Sequence, residues 1–116
     1  MNQRRDALDR TLAALADPDR RRVIDLLRQG PRRAGDLAHA VGLPAPAMSR
    51  HLRVLRQSGL VQVEGGLGES EPEFDARVRI YTLRLEPMAQ LRDWLAETEA
   101  LWAEQLSSFK HHVEGG

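Results

Sequence analysis

The chain has 116 residues, 41% of them hydrophobic and 29% charged, which fits one folded domain over residues 1–116 and excludes a disordered chain. The absence of cysteine excludes disulfides and thiolate metal sites. The sequence has no long apolar run and no secretory signal, so we expect a cytoplasmic chain without a membrane span. The net charge is zero, but 12 arginines and 6 acidic residues precede Glu64, whereas 5 basic and 11 acidic residues lie from Glu64 onward. This split suggests a partner for the positive half.

Two helices are predicted first. Residues 5–16 carry leucines on one stripe, and residues 18–29 follow an Asp17-Pro18 start that suits a helix cap and first turn. Gly30-Pro31 ends the second helix. Its inward face is predicted to hold Val23, Ile24 and Leu27.

The next two helices are separated by a glycine turn. The pattern predicts a short helix over residues 34–41, a turn at Gly42-Leu43-Pro44, and a helix from Ala45 to about Ser58. After Gly59 the period changes to alternation, in LVQVEG and again in ARVRIYTLRL, which predicts a hairpin with a long acidic tip. A last helix is predicted over residues 86–112.

This order of elements is typical of a winged helix-turn-helix, a mainly α fold of the α+β kind. The helix-turn-helix covers about residues 34–58 and the wing hairpin about residues 60–85. Projection of the fourth helix at 3.6 residues per turn puts Met48, Leu52 and Leu55 on a narrow core face. The opposite face and its flanks carry Pro46 and six polar or basic residues: Ser49, Arg50, His51, Arg53, Arg56 and Gln57. Such a face can enter a DNA major groove.

The stretches LADPDRRRVIDLL (residues 15–27) and MSRHLRVLRQSGLV (residues 48–61) resemble the ArsR/SmtB family of bacterial repressors. The resemblance implies a homodimer on a palindromic double-stranded DNA operator, with one recognition helix of each subunit in successive major grooves. It implies repression by blocking a promoter, often the protein's own.

The resemblance also assigns candidate DNA-contacting residues. Ser49 and Arg50 match the family's usual contacts to phosphate and base. The helix start Ala45-Pro46-Ala47 cannot donate side-chain hydrogen bonds, so base reading is expected to fall on Arg50 and Arg53. On the wing, the tip acids Glu64, Glu69, Glu71, Glu73 and Asp75 oppose phosphate binding, which leaves Arg77 and Arg79 for that role. The remaining candidates are His51, a core-edge residue with DNA contact as the alternative, and Arg56.

The family's familiar metal sites are not complete in this chain. The motif His111-His112-Val113-Glu114 supplies half of a site on the last helix, but Thr98 and Ala100 stand where the other ligands would be. No metal or cofactor is therefore expected. A metal-responsive repressor that uses the C-terminal histidines and carboxylates remains an alternative.

The two terminal helices are expected to form the dimer interface through a broad apolar face, because a domain this small needs a partner to cover it. The alternative for this face is a pocket for an aromatic or lipid-like effector. A protein-interaction module without DNA binding is the rival function, and no group of residues suggests an enzyme. The predicted interface residues are Leu8, Leu12, Leu91, Trp94, Leu95, Trp102 and Leu106.

Overall fold

The computed structural model describes residues 3–64 and 79–115, which form five helices and a three-stranded antiparallel sheet. The mainly helical class is confirmed. In chain order the elements are α1 (Gln3–Leu15), α2 (Pro18–Leu27), β1 (Arg32–Arg33), α3 (Ala34–Val41), α4 (Ala45–Gln57), β2 (Val61–Glu64), β3 (Ile80–Leu83) and α5 (Glu86–Gly115).

The predicted helix bounds are close to those observed. The bounds of α3 are identical, whereas α1 begins at Gln3 and ends at Leu15, one residue before the predicted end. Helix α2 stops at Leu27 because the N–H groups of Gln29 and Gly30 turn back to carbonyls three residues earlier, at 3.1 Å each. Helix α4 ends at Gln57, and α5 continues beyond the predicted end at residue 112, to Gly115.

The predicted wing hairpin is formed by β2 and β3, and a third strand that was not predicted joins it. The strand order is β1-β3-β2, so β3 lies in the centre. Strand β1 contributes only two residues, with Arg32 opposite Tyr81 and Arg33 opposite Ile80. Strands β2 and β3 pair from Val61 opposite Leu83 to Glu64 opposite Ile80. The sheet therefore ties the segment before α3 to the wing.

One core joins the helices to the sheet. The predicted inward faces of α2 and α4 are confirmed, since the three residues named for each are buried, and so are the residues predicted to face inward on α3, namely Leu37, Ala38 and Val41. Leu60, Val61 and Tyr81 close the core from the sheet side. Thr11 of α1 is also buried, and its hydroxyl donates to the Ala7 carbonyl at 3.1 Å, which satisfies it within its own helix. The core therefore fixes the orientation of α4 within the domain.

Several predicted wing residues fall outside the described ranges. These are the tip acids from Glu69 to Asp75 and the predicted phosphate contact Arg77. Glu64 ends β2, where it is exposed and accepts a hydrogen bond from the Gln62 amide at 3.2 Å. Within residues 3–64 and 79–115, none of the helices has the length and hydropathy that a bilayer span requires.

Candidate nucleic-acid interface

The turn between α3 and α4 sets the position of the candidate recognition helix. Gly42 takes the left-handed conformation, with φ of 81°, which a residue with a Cβ adopts only with strain. The N–H groups of Gly42 and Leu43 both donate to the Ala38 carbonyl at 2.9 Å. This cap ends α3 sharply and lets α4 begin three residues later. The helix-turn-helix predicted over residues 34–58 is thus formed.

The two faces of α4 differ in the predicted way. Met48, Leu52 and Leu55 are at most 1% exposed, so that side is held in the core. Ser49, Arg50 and Arg53 are exposed on the other side. The remaining candidates divide between exposed residues, namely Ala45, Pro46 and Arg56, and half-buried ones, namely Ala47 and His51. The buried side fixes the rotation of α4 about its axis and therefore the direction of the arginines.

The first turn of α4 is open to an anion. Pro44 precedes it without a side-chain cap, and Pro46 within the turn has no N–H. The helix dipole and the uncapped N–H groups of a first turn favour a phosphate oxygen. Together with the exposed Arg50 and Ser49 one turn later, this end of α4 can hold a DNA backbone while the arginines reach toward base edges.

His51 connects α4 to the start of α2. Its Nδ1 lies 3.4 Å from Nη1 of Arg20, and a guanidinium only donates, so Nδ1 accepts. This agrees with the predicted place of His51 at the edge of the core. The role of Arg20 was missed in the sequence, because a contact between residues 31 positions apart leaves no trace in helical periodicity.

Asp17, Asp19 and His51 form a cluster in which one ligand atom of each lies within 4.8 Å of the others. Burial alone would raise the pKa of Asp17. At the acid pH at which Asp17 itself titrates, the backbone N–H groups of Arg20 and Asp19, and then the positive charges of the protonated His51 ring and of Arg20, instead lower its pKa below the ordinary value. The positive charge of Arg20, whose guanidinium lies against the same imidazole, stabilises the ionised Asp17 carboxylate.

The wing contributes one described candidate. Arg79 precedes β3, is half-buried, and lies at the end of the sheet where Glu64 of β2 faces Ile80. This position is next to the strand end from which the wing extends. Its predicted contact with phosphate remains a prediction, as does that of Arg77.

The predicted interface residues lie along α1 and α5, which pack on each other in the chain. Leu8 and Leu91 are half-buried, Leu12 is 38% exposed, and the others are more exposed, from Trp94 at 42% to Trp102 at 62%. Leu8, Leu12, Gln90 and Trp94 also line a shallow groove of about 360 Å³ between the two helices. The side chains are thus available to a partner.

The C-terminal histidines are both exposed on α5, and the Glu114 side chain lies outside the described part of the chain. The positions that would complete a site, Thr98 and Ala100, carry no ligand. The Thr98 hydroxyl donates to the Trp94 carbonyl of its own helix at 2.9 Å. The described residues therefore bring no second half of a metal site to His111 and His112.

Comparison with known proteins identifies relatives for this arrangement. Residues 17–63 match the family described as "Bacterial regulatory protein, arsR family". Over 51 residues the chain is 51% identical to the HTH-type transcriptional regulator NmtR of Mycobacterium tuberculosis, with 44% of this chain and 42% of NmtR covered. It is 35% identical over 54 residues to the transcriptional repressor SdpR of Bacillus subtilis, with 47% of this chain and 60% of SdpR covered. The chain thus spans about half the length of these curated relatives.

Solved structures extend the similarity to most of the chain. An ArsR family transcriptional regulator superposes with a TM-score of 0.73 at 31% identity, covering 89% of this chain and 97% of that chain. A homodimeric winged helix-turn-helix DNA-binding domain from Mycobacterium bovis, a possible ArsR-family regulator, superposes with a TM-score of 0.60 at 26% identity, covering 91% of each chain. The similarity therefore includes the sheet and α5 as well as the helix-turn-helix.

Proposed function

Because the chain belongs to the ArsR family of bacterial transcription regulators, we propose that it is a homodimeric repressor that reads a palindromic DNA operator with α4. One observation carries the proposal. The outer face of α4 exposes Ser49, Arg50 and Arg53, while its inner face is held in the core by side chains that are at most 1% exposed. A rigidly held helix with a basic outer face can enter the major groove.

The residues of α4 take different roles in this proposal. Arg50 and Arg53 reach base edges, where a guanidinium can donate two hydrogen bonds to one guanine. Ser49 and the first turn from Ala45 to Ala47 hold the phosphate backbone, and Arg56 extends that contact along the helix. His51 positions the helix from its inner flank. Arg77 and Arg79 add phosphate contacts from the wing.

The dimer follows from the apolar surface of α5. Every residue from Glu99 to Val113 is exposed in the single chain, including Leu101, Trp102 and Leu106. The radius of gyration is 19.1 Å, larger than the roughly 13 Å expected of a compact chain of this length. Large apolar side chains on an isolated helix favour association with a second copy. In a two-fold dimer the two α4 helices would lie about one DNA turn apart, roughly 34 Å.

Repression would follow from occupancy of a promoter, including that of the protein's own gene. The similarity to SdpR, which is named a transcriptional repressor, supports repression rather than activation of transcription. The chain contains no cysteine, so we propose that release from DNA does not use a cysteine metal site. A non-metal effector or simple autoregulation takes its place.

The test is the binding of labelled DNA from upstream of the protein's own gene, measured by fluorescence anisotropy across salt concentrations against random duplex. Arg50→Ala is compared with the wild type and with Arg28→Ala. The second variant removes the same charge from an exposed position directly after α2, where Arg28 pairs only loosely with Asp25, at 3.7 Å. Loss of one bidentate base contact is expected to weaken operator binding about tenfold to a hundredfold.

Each outcome has a defined meaning. Arg50→Ala should reduce the preference for operator over random DNA, whereas Arg28→Ala should leave that preference unchanged. If the wild type shows no preference for this DNA, autoregulation is wrong. If the Arg50 variant also binds as the wild type does, α4 is not the reading helix, and a protein-interaction module becomes the better account.

A further inference from the structure

The side chain of Arg20 connects two layers of the molecule. Its Nε donates to the Ala14 carbonyl at 2.7 Å and its Nη2 to the Ala13 carbonyl at 3.3 Å, both in the last turn of α1. Its Nη1 reaches Nδ1 of His51 on α4 at 3.4 Å. One rigid, planar group thus contacts the end of a predicted dimerisation helix and the middle of the recognition helix.

The neighbouring arginine shows which of these contacts is special. Nη1 of Arg21 donates to the Leu15 carbonyl at 2.7 Å, so Arg21 also caps the end of α1. Capping the carbonyls of a helix end by arginine is a common stabilising contact. Arg20 is half-buried and makes two such cap bonds, whereas the exposed Arg21 makes one, and the contact to His51 is the one that reaches beyond the cap. It acts on α4.

His51 is well placed to transmit a displacement. It is half-buried on the flank of α4, adjacent in sequence to Arg50 and two positions from Arg53. Asp17 and Asp19, at the start of α2, also lie near it, with one carboxylate oxygen of each within 4.8 Å of a ring nitrogen. The core fixes the helix as a whole, so a change in the contacts of this imidazole acts locally, on the stretch of α4 that carries the proposed base-reading arginines.

We propose that Arg20 is a positioning residue that couples the end of α1 to the flank of α4 beside Arg50 and Arg53, and through these arginines to operator specificity. The inference rests on the proposed function. Because α1 packs on α5, a rearrangement in the dimer layer that moves the end of α1 pulls the guanidinium from His51. Specificity then falls while the phosphate contacts of the outer face remain.

The test compares Arg20→Gln with Arg21→Gln in the full chain. Arg20→Gln removes two cap bonds to α1 and Arg21→Gln removes one, so both midpoints of thermal unfolding should fall, that of Arg20→Gln by more. Arg20→Gln alone should lower the ratio of operator to random-duplex affinity, by about tenfold. The dependence of random-duplex binding on salt should stay the same in both, because the phosphate contacts are intact. Equal specificity in the two variants overturns the proposal.

A second pair separates coupling from folding at position 51. The amide oxygen of His51→Asn can take the place of Nδ1 and keep the bond from Arg20, whereas His51→Gln places its amide where Nε2 lies and loses that bond. Gln is a better helix former than Asn, so helix propensity alone would make the Gln variant the less perturbed of the two. Specificity retained by the Asn variant and lost by the Gln variant supports the coupling. Specificity retained by the Gln variant overturns it.

A measurement without DNA keeps this inference distinct from the proposed function. Long-range ¹H–¹⁵N NMR spectra report which nitrogen of His51 carries the proton. The wild type and Arg21→Gln should show the proton on Nε2, and Arg20→Gln should show it shared between the two nitrogens. A wild type without sequence preference removes the proposed function and the effect on specificity together, yet these spectra still decide whether Arg20 holds His51. An unchanged spectrum in Arg20→Gln overturns that contact.

Discussion

One carboxylate oxygen of Asp17 accepts the backbone N–H of Asp19 at 2.8 Å and that of Arg20 at 3.1 Å, and these bonds cap the start of α2. Replacement by alanine leaves two first-turn donors without their partner. We expect Asp17→Ala to lower the free energy of unfolding by about 1 kcal/mol. Asp17→Asn can still cap and should cost less at neutral pH. Urea unfolding of the three proteins measures the difference, and an equal loss in both variants would contradict the cap.

The lowered pKa of Asp17 also predicts a change of stability with pH. The ordinary value is 3.8 and the folded-state value lies below it. The stabilisation is therefore complete above the unfolded-state value and is lost as the pH falls through the folded-state value. Between pH 6 and about pH 3, Asp17→Asn should lose less stability than the wild type. If the free energy of unfolding falls equally with pH in the two proteins, a carboxyl other than Asp17 causes the loss of stability in acid.

Two glycines should respond to alanine in opposite ways. Gly59 follows α4 with φ of 80°, where a Cβ is strained, and Gly35 lies within α3 with nothing within 4 Å of an added Cβ. We expect Gly59→Ala to destabilise the protein by roughly 1–2 kcal/mol. Gly35→Ala should stabilise it by up to about 1 kcal/mol, because alanine favours a helix. Thermal unfolding checks both, and a stabilising Gly59→Ala would contradict the left-handed turn.

The exposed stripe of α5 predicts a charge-sensitive dimer. Trp102 is 62% exposed in the single chain, so Trp102→Glu should leave the helical circular dichroism unchanged while it shifts the protein to monomers. Ala100→Glu adds the same charge on the opposite side of the helix, since two residues turn it by about 200°. Sedimentation velocity distinguishes the two. If Ala100→Glu dissociates the dimer as fully, the interface is not confined to the apolar stripe.

Zinc should not release the protein from operator DNA. His111 and His112 are adjacent, so they point about 100° apart on α5, and no ligand stands at Thr98 or Ala100. Anisotropy with zinc, followed by a chelator, should give the same operator affinity for the wild type and for a His111→Ala, His112→Ala double variant. Release by zinc that the double variant lacks would instead establish the metal-responsive alternative.

Periodicity and turn chemistry were sufficient to predict the helices and the buried face of α4. Met48, Leu52 and Leu55 recur at helical spacing, and Gly42 marks the turn before them, so these signals are local. Strand β1 was missed because two consecutive arginines have neither apolar alternation nor β-branched residues, and only the partner strand makes Arg32 and Arg33 extended. The Arg20–His51 contact was missed for a similar reason, since tertiary packing creates it.

The central position of β3 has a consequence for how the domain assembles. The family match ends at residue 63, yet both β1 and β2 within it need β3 as their hydrogen-bonding neighbour. A chain that stops at Glu64 would leave two strands with open edges and remove Tyr81 from the core. The segment that matches the family, residues 17–63, is therefore shorter than the unit that folds. Folding should be one cooperative transition, completed only when a strand late in the chain inserts between two earlier ones.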